Sequence, residues 1–334
     1  MKKLILLIFI PLISFGQGEQ LYADGTANDQ DGNTFEWINY GEQDWSIENA
    51  EVVTYRDGTP IPQVTDNTEW ANLNTGAWCY YDNDPSKSKL YNWYAVMGIH
   101  DTDPNTSNKE FAPLGWNIPS ESDWAVFVNF LIENGYNFDG TSTENKIAKA
   151  VASTSGWNEL SNNYGSPGNN QSMNNTSGFN AFPVGARWGL IPNNPATNGT
   201  WFYYGRGTVF WTSSEYNSDD KWIRYLDTYN FYDELKSTYD DIRGGNSVRF
   251  FRSASTASLN DFTNSISIFP NPSSDYISVN IDSEFEAVVF DLLGKELIRE
   301  KITGRLDISC LEKGTYIINL TDGVNTSTHK IIKE

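Results

Sequence analysis

Histidine is scarce in this sequence, and the scarcity limits the chemistry that the chain can perform. Only His100 and His329 occur among the 334 residues. A zinc site built from several histidines therefore cannot form, and a Ser-His-Asp relay would have to use the single histidine of its own domain. The sequence also lacks a nucleophile elbow, an HExxH motif, a phosphate-binding loop and a dinucleotide fingerprint. We therefore expect a protein without catalytic activity.

Cysteine and basic residues are also few. Cys79 and Cys310 fall in different predicted domains, so a disulfide framework is absent and both thiols are expected to be buried or inert. Lysine and arginine number 23 against 43 acidic residues, which gives a formal net charge of −20. A surface of this charge repels phosphate backbones, so nucleic acid is not an expected partner, whereas cations are attracted.

Long apolar runs are missing except for one short run at the beginning, from Leu4 to Ile13. It is about half the ~20 residues that a membrane-spanning helix needs. Lys2 and Lys3 precede it, and small residues stand before Gln17, as at a cleavage site. These features predict a signal peptide over residues 1–16 and export from the cytoplasm.

The region 28–252 has the same sequence pattern throughout, which predicts short strands joined by Asx-Gly turns and includes many aromatic residues. A helix is predicted after Pro119 with Ser120 as its N-cap, and a second helix is predicted over Glu144–Val151. Strands, then helices, then strands predict one α+β domain.

A change in composition follows. Residues 253–262 are mostly small and predict a linker, and residues 263–334 predict a separate β-sandwich with a thin core. Six strands are expected there, at Ile266–Phe269, Tyr276–Ile281, Glu286–Phe290, Glu296–Glu300, Tyr316–Leu320 and Asn325–Ile332.

Four motifs in this last region occur in a recognisable order. They are Pro270-Asn271-Pro272, Asp291-Leu292-Leu293-Gly294-Lys295, Gly314-Thr315-Tyr316 and Lys330-Ile331-Ile332-Lys333. With them the region resembles a type A sorting domain of the type IX secretion system of Bacteroidetes. The resemblance implies a translocon and sorting machinery as partners, and a secreted or surface location. The sorting motif would comprise Pro270, Asn271, Pro272, Gly314, Tyr316 and Lys330. An ordinary adhesive or spacer module is the alternative.

A second ordered series of motifs covers most of residues 31–252. In chain order the series reads Asp31-Gly32-Asn33, Trp45 with Glu48-Asn49, Asp57-Gly58-Thr59-Pro60-Ile61-Pro62, Ala77-Trp78-Cys79-Tyr80-Tyr81, Leu90-Tyr91-Asn92-Trp93-Tyr94-Ala95, Pro113-Leu114-Gly115-Trp116-Asn117-Ile118-Pro119-Ser120, Asp123-Trp124, Ser177-Gly178-Phe179, Phe210-Trp211-Thr212-Ser213-Ser214-Glu215 and Ser247-Val248-Arg249. With this series the region resembles the FISUMP family, the major paralogous domain named from Fibrobacter. The resemblance implies a C-type-lectin-like fold with short strands and two main helices.

The region departs from that family at two positions. The family often carries cysteines where Ala112 and Phe250 stand here. Because both are replaced together, we expect apolar packing in place of a disulfide. Trp93, Trp116 and Trp211 lie in framework motifs and are expected in the core. Glu215 is expected to pair with an arginine such as Arg249.

A binding module for a glycan or another extracellular ligand is the first functional hypothesis. Sugar sites combine exposed aromatic rings with polar side chains, and the segment 187–229 is rich in both. The candidate ligand-binding residues are Trp188, Trp201, Tyr203, Tyr204, Tyr216, Asn217, Trp222 and Arg224. The alternatives are a secreted carbohydrate-active enzyme with paired carboxylates and a structural component of the cell envelope.

No cofactor is required by this reading, and calcium is left open. Asp219 and Asp220 are candidate ligands because hard cations prefer carboxylate oxygens. Asp29-Gln30-Asp31-Gly32-Asn33 also has alternating oxygens, but Tyr40 stands where an EF-hand places its bidentate acid. Turn chemistry explains that stretch better.

Overall fold

The computed structural model describes residues 19–230, 233–254, 266–280, 285–292, 294–321 and 326–334. The predicted signal peptide and most of the predicted linker lie outside these residues. Contacts divide the chain into two compact units between Ala254 and Ser255. We call the described residues 19–254 the body and the described residues 266–334 the tail. None of the described helices is long and apolar enough to span a membrane.

The predicted α+β, C-type-lectin-like fold with two main helices is wrong. The described residues form eighteen strands in several sheets and four α-helices, and only 12% of them are helical. Most of the segments rich in aromatic and β-branched residues are strands, which is the conformation that these side chains favour.

Eleven strands belong to the body: β1 Gly25–Asn28, β2 Thr34–Asn39, β3 Gln43–Ser46, β4 Trp78–Tyr80, β5 Lys89–Tyr91, β6 Val184–Arg187, β7 Trp201–Tyr204, β8 Gly207–Glu215, β9 Asp220–Asp227, β10 Lys236–Asp241 and β11 Phe251–Ser253. They form a four-stranded sheet in the order β1-β2-β3-β11, a five-stranded sheet in the order β10-β9-β8-β6-β7, and the pair β4-β5. The pairing of β6 with β8 is parallel and the other strand pairings are antiparallel. Because β11 pairs with β3, the last strand of the body closes its first sheet.

The helices of the body are α1 Asn67–Ala71, α2 Trp93–Val96, α3 Glu121–Glu133 and α4 Ala148–Val151. The helix predicted after Pro119 is confirmed as α3, and Ser120 and Asp123 form a reciprocal capping box at its start. The helix predicted over Glu144–Val151 shrinks to four residues. Asn137 is the reason, because its side chain accepts the amide of Lys146 and donates to the carbonyl of Glu144. These bonds hold the chain in a loop where a helix would have started.

Aromatic rings fill the core of the body. Trp45 and Trp124 lie with ring centroids 4.5 Å apart, and Phe127 and Phe179 lie 4.9 Å apart in the same cluster. Trp93, Trp116 and Trp211 are buried, as predicted. Ala112 and Phe250, which replace the family's cysteines, are buried in one common cluster.

Two guanidinium groups are enclosed by this aromatic interior. The Arg187 guanidinium carbon lies 4.4 Å from the ring of Trp70 and 4.5 Å from that of Trp201. Arg249 packs in the same way on Phe179 at 4.5 Å. Both arginines are at most 1% exposed, and their hydrogen bonds go to uncharged oxygens. The charges are therefore held by ring faces and carbonyl groups.

The tail has seven strands among its described residues: β12 Ile268–Phe269, β13 Tyr276–Val279, β14 Phe285–Phe290, β15 Glu296–Ile302, β16 Arg305–Asp307, β17 Gly314–Thr321 and β18 Thr326–Lys333. They form two sheets, in the orders β12-β13-β16 and β15-β14-β17-β18. A mostly aliphatic cluster that includes Ile277, Leu306 and Ile318 is their common core. The strand β16 was not predicted from the sequence.

The two cysteines are free. Cys79 is buried in the body, where burial raises the pKa of its thiol to about 11 and keeps it protonated. Cys310 is exposed, so of the expectation that each thiol is buried or inert, only the second alternative stays open for this residue.

Candidate functional site

The structure does not gather the eight predicted ligand-binding residues into one place. Three of them use their rings inside the body. Trp188 stacks on Phe202 with centroids 3.7 Å apart, and Trp201 covers the buried Arg187. Tyr203 lies against Arg206, whose guanidinium carbon is 4.4 Å from the ring centroid. These rings have intermediate exposure, and part of their surface is already covered.

Tyr216 and Trp222 come together with Tyr239, a residue that the sequence did not single out. Tyr216 and Tyr239 stack in parallel at 4.2 Å, and Trp222 meets Tyr216 edge-on at 5.0 Å. The two tyrosines are about half exposed, at 47% and 49%. We call these three residues the aromatic platform. Trp222 and Tyr239 are cross-strand partners on β9 and β10, which explains their proximity.

Arg224 is a structural residue. It is buried, and its guanidinium binds both carboxylate oxygens of Glu121 at 2.6 and 3.1 Å. This pair joins β9 to the first turn of α3. Ser237 also donates to Glu121, so the acid has little capacity left for an external ligand.

The predicted metal ligands lie in the turn between β8 and β9. Asn217 caps this turn, because its side-chain oxygen accepts the amides of Asp219 and Asp220 at 2.8 Å. Its side-chain amide donates to Asp220 at 2.9 Å. Among the described residues no group of three or more His, Cys, Asp or Glu side chains is arranged to hold a metal. The Asp29–Asn33 stretch is likewise a turn, in which Asp29 accepts the amides of Asp31 and Asn33.

A cleft of about 390 Å³ offers a better site. Its walls come from segments that are far apart in the sequence, namely 47–51, 86–88, 156, 180–184, 204 and 249. The volume is within the ~300–1,000 Å³ that small-ligand sites usually have. Of the eight predicted residues, only Tyr204 lines it.

Two exposed aromatic side chains stand at this cleft. Phe182 is 45% exposed and Tyr204 is 53% exposed. Tyr204 is supported on one side by Tyr81, with ring centroids 5.0 Å apart, and Lys87 lies 4.7 Å from its centroid. Gly156 lies under the Phe182–Pro183 segment, and a Cβ added there would be 3.4 Å from Pro183. The cleft therefore exposes the rings of Phe182 and Tyr204, and neighbouring residues pack against the other side of each segment.

Tyr203 helps to fix the direction of Tyr204. Its φ of +67° is in the left-handed region, which is rare for a bulky residue and costs free energy. The neighbouring structure holds it, because Arg206 packs on its ring and binds both carboxylate oxygens of the buried Asp227. Strain held in this way beside an exposed ring is typical of binding sites.

Polar groups of both charge signs face the cleft. Glu48 accepts the amide of Glu36 at 2.8 Å, and Glu51 forms an ion pair with Lys89 at 2.7 Å. Asn49 donates to Ser247, but its side-chain oxygen has no hydrogen-bond partner among the described residues. The two carboxylates are suited to sugar hydroxyls, whereas the Asn49 oxygen is buried.

Arg249 forms the buried end of the cleft lining. It donates to the carbonyls of Ser46 and Asn180, while its Nε has no hydrogen-bond partner among the described residues. Burial lowers the pKa of its guanidinium to about 10, so it stays charged at neutral pH. The predicted pairing of Glu215 with Arg249 is wrong, because Glu215 pairs with Lys221 at 3.1 Å.

Few features of the sequence point to this cleft. Phe182 directly precedes a proline, which keeps its backbone extended and predicts a loop. That signal places an aromatic residue outside a helix but does not show that its ring is exposed.

The predicted sorting motif converges on one end of the tail. The side chain of Asn271 donates to the carbonyl of Lys330 and accepts the amide of Ile332, both at 2.8 Å. Gly314 pairs with Lys333 in the β17–β18 ladder, and Tyr316 donates to the carbonyl of Glu312. Pro270 and Pro272 flank Asn271.

The body and the tail are two separate β-rich units. Residues 38–255 match the family model of the Fibrobacter succinogenes major domain. Residues 267–334 match the model of the secretion system C-terminal sorting domain. No curated protein matches the chain.

The first match covers more than half of the chain, and the chain belongs to the Fibrobacter succinogenes major domain family. Both resemblances drawn from the motifs are confirmed. The sorting domain indicates secretion to the outer cell surface or the extracellular space. It also implies interaction with the secretion and sorting machinery.

Proposed function

We propose that the body binds an extracellular glycan in the cleft between Phe182 and Tyr204, without catalysing a reaction. The observation that carries the proposal is the presence of two exposed aromatic side chains on a concave surface that also carries carboxylate and amino groups. A sugar ring has an apolar face and an edge of hydroxyl groups, so it can stack on the aromatic side chains and bond to Glu48 and Glu51. The location outside the cell agrees with a ligand of this kind.

Glu48 and Glu51 raise the question of hydrolysis, because glycosidases use two carboxylates. Each of these acids already has a partner inside the body, the amide of Glu36 for Glu48 and the ammonium of Lys89 for Glu51. We infer that they orient hydroxyl groups. Release of new reducing ends from a bound glycan, abolished in Glu48→Gln, would contradict this inference.

A glycan array probed with the full chain tests the proposal. We expect a defined set of glycans to bind, and Phe182→Ala and Tyr204→Ala each to weaken binding by about tenfold, because one lost ring contact is worth about 1.4 kcal/mol. Tyr239→Ala is the matched control, since it removes an equally exposed ring outside the cleft.

The same array separates the competing hypotheses. Binding that is lost in Trp222→Ala but kept in both cleft variants would move the site to the aromatic platform and contradict the cleft. Absence of binding to every glycan, with all variants folded, would favour the structural role in the cell envelope.

A further inference from the structure

The turn between β8 and β9 surrounds the ammonium group of Lys221. This residue is only 2% exposed. Its Nζ donates to a carboxylate oxygen of Glu215 at 3.1 Å, to the carbonyl of Asn217 at 2.8 Å and to the carbonyl of Ser218 at 3.2 Å. The ring of Trp93 lies below it, with the centroid 4.6 Å away.

These oxygens are of the type that calcium selects. Calcium takes carboxylate and backbone carbonyl oxygens in a flexible arrangement, completed by water. Asp219 and Asp220, the residues that the sequence indicated as metal ligands, belong to the same turn. Their backbone amides are held by Asn217, which helps to turn the carbonyls of the loop toward Lys221.

We propose that residues 215–220 form a cation site in which the cation is the chain's own Lys221 ammonium. The loop is thus closed around a cation that is covalently part of the chain and cannot leave the site as a metal ion can. Removal of the amine leaves the Glu215 carboxylate, which is open to solvent on its other side, and two carbonyls around the vacated position, and this set becomes a site for a hard divalent cation such as calcium. In the wild type, the loop and the neighbouring aromatic platform keep their shape without metal.

Lys149 provides a comparison inside the same body. It is also buried, and its Nζ donates to the carbonyls of Ser166, Asn169 and Asn170. The described residues offer it no ion pair, so its surroundings are uncharged. Without a carboxylate, this second set of oxygens is a poor site for a divalent cation.

The test compares the full wild-type chain with Lys221→Met, and Lys149→Met is the control. In EDTA we expect Lys221→Met to melt ~5 °C or more below the wild type, and calcium to restore most of the loss. Terbium, used as a calcium probe, should emit when tryptophan is excited in this variant, because the ring of Trp93 lies beside the position of the ammonium. Lys149→Met should lose stability with no calcium response, and the wild type should melt at the same temperature in EDTA and in calcium.

Glu215→Gln in the Lys221→Met background should abolish both the calcium response and the terbium emission, because it removes the carboxylate. The proposal is overturned if Lys221→Met shows no calcium response, or if it stays unfolded at every calcium concentration. It is also overturned if the wild type is stabilised by calcium in a way that Glu215→Gln removes, since the loop would then hold a metal beside Lys221.

Discussion

The body and the tail are both rich in strands, but their interiors differ in chemistry. In the body, aromatic rings enclose the charged side chains of Arg187, Arg249 and Lys221. In the tail the core is mostly aliphatic, and every described lysine and arginine is at least partly exposed. The body therefore depends on many directional contacts, whereas the tail depends on the burial of a small apolar surface.

The largest effect is expected from the centre of the aromatic core. Trp124 is fully buried and meets Trp45, Phe127, Phe179 and Phe210. Trp124→Ala should destabilise the body by about 3–5 kcal/mol, because it leaves a large cavity. Denaturant unfolding followed by tryptophan fluorescence measures the loss. An unchanged midpoint would show that the body does not depend on this cluster.

A smaller free-energy change should have a larger structural consequence in the tail. Ile318 is fully buried in the aliphatic core, and Ile318→Ala should cost about 2–4 kcal/mol. Because the tail is small, this loss is enough to unfold much of it. Hydrogen exchange should show the amides of β14 and β17 unprotected while those of β8 and β9 stay protected. An equal loss of amide protection in the body and in the tail would show that the two units do not unfold separately.

The smallest effect concerns pH. Burial raises the pKa of Asp240 from its ordinary 3.8 to about 7. Between these values the folded chain binds more protons than the unfolded chain, so this residue makes stability fall as the pH rises from about 4 to 7. Asp240→Asn should remove that fall. Between about pH 5 and pH 8 the wild type should lose about 2–3 kcal/mol more than the variant, as measured by denaturant unfolding.

The tail offers the opposite behaviour as a control. Arg299 lowers the pKa of Glu296, and the Ser309 hydrogen bonds lower that of Asp307. Groups of this kind stabilise the folded state above their ordinary pKa and cease to do so in acid. A fall in the stability of the tail between about pH 5 and pH 8 that matches that of the body would show that Asp240 is not the cause.

Local signals predicted the local structures well. Ser120 and Asp123 carry the capping information for α3 in four consecutive residues, and the structure uses it. The strands of the tail were predicted as six short segments, and β16 was missed because three residues are too short a pattern. The framework tryptophans Trp93, Trp116 and Trp211 were predicted as core and are buried.

Predictions failed where contacts between segments that are distant in the sequence determine the local conformation or the exposure of a side chain. The second helix shortened because Asn137 bonds to backbone that comes several residues later. The cleft needs Glu48, Lys87, Phe182, Tyr204 and Arg249 in one place, and only the completed sheets bring them there. Ring exposure was the quantity that sequence reasoning lacked, since Trp201 and Tyr204 are only three positions apart and have different surroundings.

The enclosure of Arg187 between Trp70 and Trp201 has a consequence for life outside the cell. Dissolved ions weaken attractions between charges that they can approach, and they cannot enter the space between two rings and a wall of carbonyl groups. The contacts of this guanidinium should therefore hold equally well in dilute and in saline surroundings. In an exported protein, this arrangement would keep the stability of the interior independent of the salt concentration outside the cell.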